Sequence, residues 1–420
     1  MRNVFDQYNQ PENKVTHAFV TALNEDRRLL AAFLHEIVGV QPPKKANRLK
    51  VCEQSFPGQP QMAEDDAISN GIPDAWITDG DCWCVVIENK VLSDASADQL
   101  TRHREIANRL GFDEPNILLL TIKPAAPEIA PLAKVVEWRA VYKWLLNFSD
   151  NHVWAKRVSD YLEVIEGRLV NEEQLRSGTM TAFNGIDFSE DKQFSYTEAK
   201  RLLGLAMTEL RARKDLIAEI GMNPHLSGRS AITGRDADSV WDFLQTNDAD
   251  EERNFTRAPH LTLGIHRTRL SAMVTMPNAL RRPALKRLVG RGRDGFRELV
   301  RTVLTNMKPI MRDCPGMEPR FHAVQRRYPS QRSVPFEDAV INFDLRTCFE
   351  DEGPPKAQPQ WLEAIYDCLA RKKSNFQTQI GAWFPYRTCD GMRKPEALDY
   401  VARTWIACGP LLEVIRGENH

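Results

Sequence analysis

Apolar residues recur at helical spacing through the start of the chain. Val15, Phe19 and Leu23 lie four residues apart, and a second apolar set follows before Gly39. Pro11 suits a first helical turn, and glycine commonly follows the last turn of a helix. The pattern therefore predicts two helices within the first 40 residues.

Alternating apolar and polar residues follow the helices and predict strands. The first strand begins at Arg48, and a hairpin comes after it. Residues 72–78 are the outgoing strand of this hairpin, residues 79–81 its turn, and residues 82–88 its return strand.

A helix and two further strands complete this pattern. Helical spacing over residues 94–110 ends at Gly111, and residues 117–122 are apolar on both faces, as in a central strand that is covered on both sides. Another strand begins at Lys134. The predicted order is helix, strand, strand, strand, helix, strand.

The rest of the chain contains a helical segment, a polar segment and a second set of elements. Residues 141–169 are rich in Trp and Leu, whereas residues 171–192 are polar and contain glycine, which predicts a linker. Residues 193–420 indicate a separate α+β domain. Its expected elements are a helix over 196–220, a hairpin over 260–276, a basic helical stretch, a strand over 339–345, and helices from Trp361 and near Tyr400. A length of 420 residues also favours two domains over one.

Composition narrows the class of protein. The formal net charge of −1 shows no overall bias toward nucleic acid or membrane. No apolar run approaches the roughly 18 residues of a membrane span, and no charged-then-apolar leader opens the sequence, so we expect a cytoplasmic protein without a membrane partner. The eight cysteines contain no CxxC pair and support neither a zinc module nor a disulfide framework.

Three charged residues interrupt the apolar hairpin. Asp74 lies in the outgoing strand, and Glu88 and Lys90 end the return strand. Because side chains alternate along a strand, Glu88 and Lys90 share one face. A three-residue turn would place Asp74 opposite Val86, so that Asp74 and Glu88 are diagonal neighbours with Cβ atoms roughly 7 Å apart.

This spacing suits a divalent metal ion. Two close carboxylates repel each other, and the repulsion raises one pKa unless a cation neutralises it. Mg²⁺ prefers carboxylate oxygens, keeps several waters and uses one or two protein carboxylates, which here are Asp74 and Glu88. An ammonium from Lys90 can orient an attacking water and offset the charge that grows on a phosphate. The pattern predicts Mg²⁺ as cofactor, with Mn²⁺ as a substitute.

The same residues carry a resemblance to a known family. Pro73-Asp74, a hairpin, and Glu88-Asn89-Lys90 stand in the order helix, strand, strand, strand, helix, strand. This arrangement resembles the PD-(D/E)XK nuclease superfamily over about residues 1–145. The resemblance implies an α/β fold with a restriction-endonuclease-like αβββαβ core and a mixed sheet, within a domain of residues 1–170. It also implies that the aspartate and the glutamate bind metal while the lysine assists the water.

Two further residues fit habits of that family, and the resemblance makes them predicted catalytic residues. Many members carry an acid on the first helix and a glutamine on the helix after the triplet, and Glu12 and Gln99 occupy such places. The alternative for Glu12 is a favourable acid in a first helical turn, and the alternative for Glu88 and Lys90 is a weak ion pair at a solvated strand end. His103 lies one turn beyond Gln99, and its residue type predicts a surface position.

A basic region marks the C-terminal domain. Between Arg281 and Arg332 stand 14 Lys or Arg residues against four acids, with Phe296, Phe321 and Tyr328 interleaved. This composition is typical of a surface that follows phosphates, although a solvated helix face explains it too.

A glycine motif lies within the basic region. Residues 290–295 match GxGxxG, but the residues before them look helical, so the strand that dinucleotide binding requires is missing. A basic loop leading into a helix from Phe296 could instead hold a phosphate at the helix N-terminus. Arg291, Arg293 and Arg297 are therefore the predicted nucleic-acid-binding residues.

These patterns together predict a Mg²⁺-dependent endodeoxyribonuclease with DNA as its partner. The family resemblance favours a restriction-like or anti-phage defence role. The alternatives are a non-catalytic nucleic-acid-binding or regulatory protein on a nuclease-like scaffold, and an enzyme that cleaves RNA. Because one site cuts one strand at a time, a double-strand break needs two sites, and we expect a homodimer.

Overall fold

The computed structural model describes most of the chain in two units. The described residues are 5–59, 71–175, 178–188, 192–229, 238–247, 257–280, 282–327, 329, 336–347, 360–371 and 376–417. The units are Met1–Ala182 and Phe183–His420, and the division between them falls within the segment expected to be a linker. No helix in the described ranges is both long enough and apolar enough to cross a membrane.

The N-terminal unit is built on a mixed five-stranded sheet in the order β1-β2-β3-β4-β5. The β1–β2 and β2–β3 pairs are antiparallel, and the β3–β4 and β4–β5 pairs are parallel. The strands are β1 (Lys50–Glu53), β2 (Ala75–Thr78), β3 (Cys84–Lys90), β4 (Asn116–Thr121) and β5 (Lys134–Glu137). The expectation of a mixed sheet is confirmed.

Helices of this unit precede, interrupt and follow the strands. They are α1 (Pro11–Glu25), α2 (Arg27–Ala32), a π-helical turn (Phe33–Val38), α3 (Ala97–Arg109), α4 (Trp138–Phe148) and α5 (Val153–Asn171). Gly39 ends the π-helical turn at a φ of 76°, a left-handed conformation that glycine adopts without strain.

The sheet is covered on both faces, and alternation along β3 assigns its side chains to them. Val85 and Ile87 belong to the core that also contains residues of α1, α2, α4 and α5. Cys84 and Val86 pack in a second, smaller core with Leu100 of α3. Glu88 continues the α3 side of the strand, and the next residue along the strand points to the opposite side.

The β2–β3 hairpin has a longer connection than the sequence suggested. Thr78 pairs with Cys84, so residues 79–83 form the loop, and the expected turn at 79–81 is wrong. The Asp79 side chain explains the difference, since its Oδ1 accepts hydrogen bonds from the main-chain N–H groups of Asp81 at 2.9 Å and Trp83 at 3.1 Å. This side chain holds two additional residues in the loop.

The longer loop changes the register at the charged end of the hairpin. Trp76 pairs with Val86, and Ala75 pairs with Ile87. Continuing this register by one residue puts Asp74 directly opposite Glu88. The expected pairing of Asp74 with Val86, and the diagonal arrangement that follows from it, are therefore wrong.

The C-terminal unit contains a separate six-stranded antiparallel sheet in the order β10-β9-β11-β8-β7-β6. Its strands are β6 (Ser239–Gln245), β7 (His260–His266), β8 (Arg269–Met276), β9 (Glu318–Arg327), β10 (Phe336–Asp344) and β11 (Phe376–Pro385). Its helices are α6 (Tyr196–Arg211), α7 (Lys214–Ile220), α8 (Arg282–Gly290), α9 (Gly292–Asp313), α10 (Gln360–Ala370), α11 (Ala397–Ala407) and α12 (Gly409–Arg416). One helix was expected over residues 196–220, where the structure has two.

One face of this second sheet packs on the helices. Leu263 of β7, Val274 of β8 and Ile380 of β11 lie in a core with apolar residues of α6, α9 and α11. The alternate side chains of the same strands lie on the opposite face, and most of them are polar.

Candidate active site

Two carboxylates lie opposite each other at the end of the β2–β3 hairpin. Asp74 directly precedes β2, and Glu88 lies near the end of β3 with 2% of its surface exposed. The main-chain N–H of Asn89 donates to Asp74 Oδ2 over 2.7 Å. This bond extends the contact between the two strands to the residues that carry the acids.

Three side chains donate to Glu88. Lys90 Nζ lies 2.7 Å from Glu88 Oε1, and Gln99 Nε2 donates to the same oxygen over 2.7 Å. His103 Nε2 lies 2.9 Å from Glu88 Oε2, where its N–H donates to the ionised carboxylate. Gln99 and His103 reach Glu88 together because they are one turn apart on α3.

The structure corrects two expectations about this cluster. Glu88 is buried, so it does not belong to a solvated strand end. His103 has 0% of its surface exposed, so the expected surface position is wrong. Its residue type suggested exposure, but its contact with Glu88 supplies a partner that a buried imidazole requires.

The charges in the cluster are unequally compensated. Burial and the nearby charge of Glu88 raise the pKa of Asp74 well above its usual range. Burial also acts to raise the pKa of Glu88, but the His103 hydrogen bond and the Lys90 charge outweigh it and the pKa is lowered. Burial acts to lower the pKa of Lys90, but the charge of Glu88 outweighs it and the pKa is raised. Asp74 is therefore the carboxyl group that a further cation would stabilise in its ionised form.

Glu12 lies at the start of α1 and binds the segment that follows β3. Its Oε1 accepts hydrogen bonds from Leu92 N at 2.7 Å, Ser93 N at 3.1 Å and Ser93 Oγ at 3.3 Å. The carboxylate thus holds the exit of β3 against the first turn of α1. Its predicted catalytic role stays a prediction.

Asn89 is a structural member of the site that the sequence reasoning missed. On the face opposite Glu88, its Nδ2 donates to the Glu12 carbonyl at 2.8 Å and to Thr16 Oγ1 at 3.1 Å. Its Oδ1 accepts a 2.5 Å hydrogen bond from Trp138 Nε1. The available signal was an amide on a strand whose other side chains on that face are apolar.

The donor chemistry of the site can be compared with the needs of a metal ion. Among the described residues, no group of three or more His, Cys, Asp or Glu side chains is arranged to hold a metal. A two-carboxylate set fits Mg²⁺ or Mn²⁺, which take oxygen ligands and retain water, better than Zn²⁺, which usually requires three or four protein ligands. Asp74 and Glu88 would be those ligands.

The arginines expected to bind nucleic acid lie in different surroundings. Arg293 pairs with Asp367 at 2.7 Å and Arg297 with Glu363 at 2.6 Å, and both acids belong to α10. Arg291 is exposed directly before α9. Two of the three guanidinium groups therefore already have carboxylate partners.

Other expectations for the basic region are corrected. Phe296 and Phe321 are buried with their ring centroids 6.0 Å apart, so they are core residues and do not interleave with surface charges. Tyr328 lies outside the described residues. The GxGxxG segment joins α8 to α9, which begins at Gly292, so the expected loop leading into a helix from Phe296 is wrong.

Comparison with known proteins adds no family assignment. No protein-family model matches the chain, and no curated protein matches its sequence.

Proposed function

We propose that the N-terminal unit is a Mg²⁺-dependent nuclease of the PD-(D/E)XK type that hydrolyses phosphodiester bonds of DNA. The observation that carries the proposal is the placement of Asp74 opposite Glu88, with the Lys90 ammonium 2.7 Å from the Glu88 carboxylate. The order of elements around this cluster and the mixed sheet also support a nuclease-like core.

Each residue of the cluster has a distinct role in this proposal. Asp74 and Glu88 hold the metal, which supplies charge stabilisation and an activated water when bound. Gln99 and His103 fix the orientation of Glu88 through their hydrogen bonds. Lys90 orients the attacking water and offsets the charge that grows on the phosphate.

A direct test compares the wild type with Asp74→Asn. Purified protein is incubated with Mg²⁺ and, in parallel, supercoiled plasmid, linear duplex, single-stranded DNA and RNA. The wild type should cut a DNA substrate and Asp74→Asn should not, whereas Asp160→Asn, a change at an exposed acid of α5, should cut like the wild type. Equal cleavage by Asp74→Asn and the wild type would refute the site.

The same experiment addresses assembly and the role in the cell. A protein that linearises plasmid and has the mass of a dimer by light scattering supports the proposed homodimer and a restriction-like or defence role. Nicked plasmid from a monomer supports single-strand cleavage instead.

A non-catalytic nucleic-acid-binding protein is the second candidate. The observation that favours it is that Glu88 already receives hydrogen bonds from Lys90, Gln99 and His103, which compete with a metal for the carboxylate oxygens. Binding of duplex without cleavage under Mg²⁺ or Mn²⁺ would make this candidate the better one.

A further inference from the structure

The C-terminal unit contains a cleft on the face of its sheet that the helices leave uncovered. The cleft has a volume of about 640 Å³, and residues of all six strands, β6 to β11, line it. This volume lies within the range of about 300–1,000 Å³ typical of small-molecule sites. All of the residues that line the cleft belong to the C-terminal unit.

Arg269 is a cation that lines this cleft and forms no ion pair with an acid in the described part of the chain. Its Nε is buried and has no hydrogen-bond partner among the residues that the structure describes, and its guanidinium lies 4.0 Å from the centre of the Trp383 ring. Burial lowers the pKa of Arg269, yet a guanidinium stays charged at neutral pH. Arg269 is half-buried, and Glu318, whose charge acts on it, forms its ion pair with Arg320 instead.

The neighbouring arginines differ from Arg269 in this respect. Arg320 pairs with Glu318 at 2.7 Å, and Arg326 pairs with Glu337 at 3.3 Å. Both of these charges are compensated within the protein. The contrast indicates that the partner of Arg269 is an anionic group from outside the chain.

The floor of the cleft near Arg269 is polar and uncharged. Burial lowers the pKa of His266 to about 4, so the imidazole is neutral at physiological pH, and its Nε2 lies 3.0 Å from Ser271 Oγ. Gly264 leaves room for this pair, since a Cβ there would lie 2.6 Å from Ser271 Oγ. A side chain at this position would push the hydroxyl and the imidazole apart.

Hydroxyl and amide groups continue the floor away from Arg269. The Thr262 and Thr275 hydroxyls are 2.6 Å apart, and Gln379 Nε2 donates to Thr275 Oγ1 over 2.8 Å. Such groups both donate and accept hydrogen bonds. They match a ligand body that carries hydroxyl groups or polar heterocycle edges.

We propose that this cleft binds a small phosphorylated molecule rich in hydroxyl groups, of the chemistry shared by nucleoside monophosphates and sugar phosphates. The phosphate contacts Arg269, whose planar fork suits two of its oxygens. The hydroxyl-bearing part lies over the row of Ser271, Thr275 and Gln379.

A strand of nucleic acid fits the cleft less well. Strand binding uses exposed aromatic faces and several phosphate-binding cations. Here Arg269 covers the Trp383 ring at 4.0 Å, and Arg229 covers the Trp241 ring at 4.0 Å. Among the described arginines that line the cleft, Arg269 is the one without an ion pair, and one such guanidinium matches one phosphate of a small ligand.

Calorimetric titration of the full chain tests the proposal. The probes are four nucleoside monophosphates, ribose 5-phosphate, glucose 6-phosphate, inorganic phosphate and the unphosphorylated nucleosides. At least one organic phosphate should bind at least about tenfold more tightly than both its unphosphorylated form and inorganic phosphate, because only the organic phosphate contacts both Arg269 and the polar floor. Comparing the nucleoside monophosphates with the sugar phosphates identifies whether the cleft prefers a nucleoside or a sugar.

Variants separate this site from the rest of the protein. Arg269→Gln should weaken binding about tenfold or more, and Arg269→Lys should weaken it less because it keeps the charge. The control Arg403→Gln changes an arginine of α11 that pairs with Asp313 of α9, and it should bind like the wild type. Asp74→Asn should also bind normally, because the cleft is independent of the nuclease proposal.

The proposal is overturned if no probe binds at millimolar concentration, or if only oligonucleotides bind. It is also overturned if Arg269→Gln binds the organic phosphate as tightly as the wild type does. If Arg269→Gln fails to fold by circular dichroism, Gln379→Leu replaces it. Unchanged affinity for the hydroxyl-bearing probe in Gln379→Leu then overturns the proposal.

Discussion

The main-chain N–H of Asn89 donates to the Asp74 carboxylate over 2.7 Å, so the residue between Glu88 and Lys90 holds the second acid of the site in place. The backbone of β3 therefore positions Asp74, while its alternate side chains present Glu88 and Lys90. Strand β3 thus carries Glu88 and Lys90 and, through its main chain, also holds Asp74.

The substitution Asp74→Asn should abolish cleavage without loss of the fold. Losing a metal ligand removes several kcal/mol of transition-state stabilisation, which corresponds to at least about a 100-fold fall in turnover.

The stability of Asp74→Asn should respond differently from its activity. A carboxyl group with a raised pKa contributes stability below its unfolded pKa, and this contribution is lost as pH rises through its folded pKa. At pH 8 and without metal, Asp74→Asn should be at least as stable as the wild type in urea unfolding, and a clear loss would contradict the electrostatic account.

Binding of Mg²⁺ should release protons. Because the pKa of Asp74 is raised in the metal-free protein, the ion has to displace a proton wherever Asp74 is protonated. Affinity should increase with pH until the pH exceeds the pKa of Asp74, and then level off. Calorimetry in two buffers of different ionisation enthalpy measures the released protons. Equal heats in both buffers below that pKa would show that Asp74 is not a ligand.

The substitution Lys90→Ala should slow turnover and leave metal affinity nearly unchanged. Glu88 keeps its hydrogen bonds with Gln99 and His103, so the ligand stays in place when the ammonium is removed. Single-turnover kinetics at saturating Mg²⁺ measure the chemical step. Lys156→Ala, at an exposed lysine of α5, is the matched control. Rates near that of the wild type would make Lys90 only an ion-pair partner.

The substitution His103→Ala should reduce turnover by about 10- to 100-fold, the usual range for a group that orients a metal ligand. Burial acts to raise the pKa of Glu88, and the His103 hydrogen bond is the largest opposing effect. Its removal should shift the acidic limb of the pH–rate profile to higher pH, and His103→Gln should restore part of the loss. A lower rate with an unshifted profile would indicate a packing role alone.

Reversal of the three predicted arginines should weaken DNA binding unequally. Arg291→Glu should reduce the slope of log affinity against log salt by about 0.9 for each lost phosphate contact. Arg293→Glu and Arg297→Glu should change it less, because Asp367 and Glu363 already neutralise those arginines in the wild type. Fluorescence anisotropy across a salt series measures the slopes, and an unaltered slope for Arg291→Glu would mean that its charge serves solubility.

Local alternation predicted the part of the site that lies on one strand. It placed Glu88 and Lys90 on one face of β3, and helical spacing placed Gln99 and His103 on one side of α3. Register failed because the Asp79 side chain enlarges the loop, which is a hydrogen-bonding detail that residue type alone does not specify. Local pattern could assign the face of His103 but not what covers that face.

The C-terminal unit was less predictable for a related reason. Strands β6, β9 and β11 were missed, and each carries polar side chains toward the cleft. Phe296 and Phe321 were taken as surface residues because the basic residues around them dominate the local composition. Their burial results from packing between α9 and β9, elements that are distant along the chain.

The side chain of Asn89 joins the first turn of α1 to Trp138 at the start of α4, while its main chain holds Asp74. The position of the proposed metal ligand Asp74 and the cohesion of the domain therefore depend on the same residue. A substitution that weakens the contact between α1 and β3 should displace Asp74 at conditions where the domain is still folded. Loss of activity should accordingly be an earlier symptom of weakened packing in this unit than any change in its secondary structure.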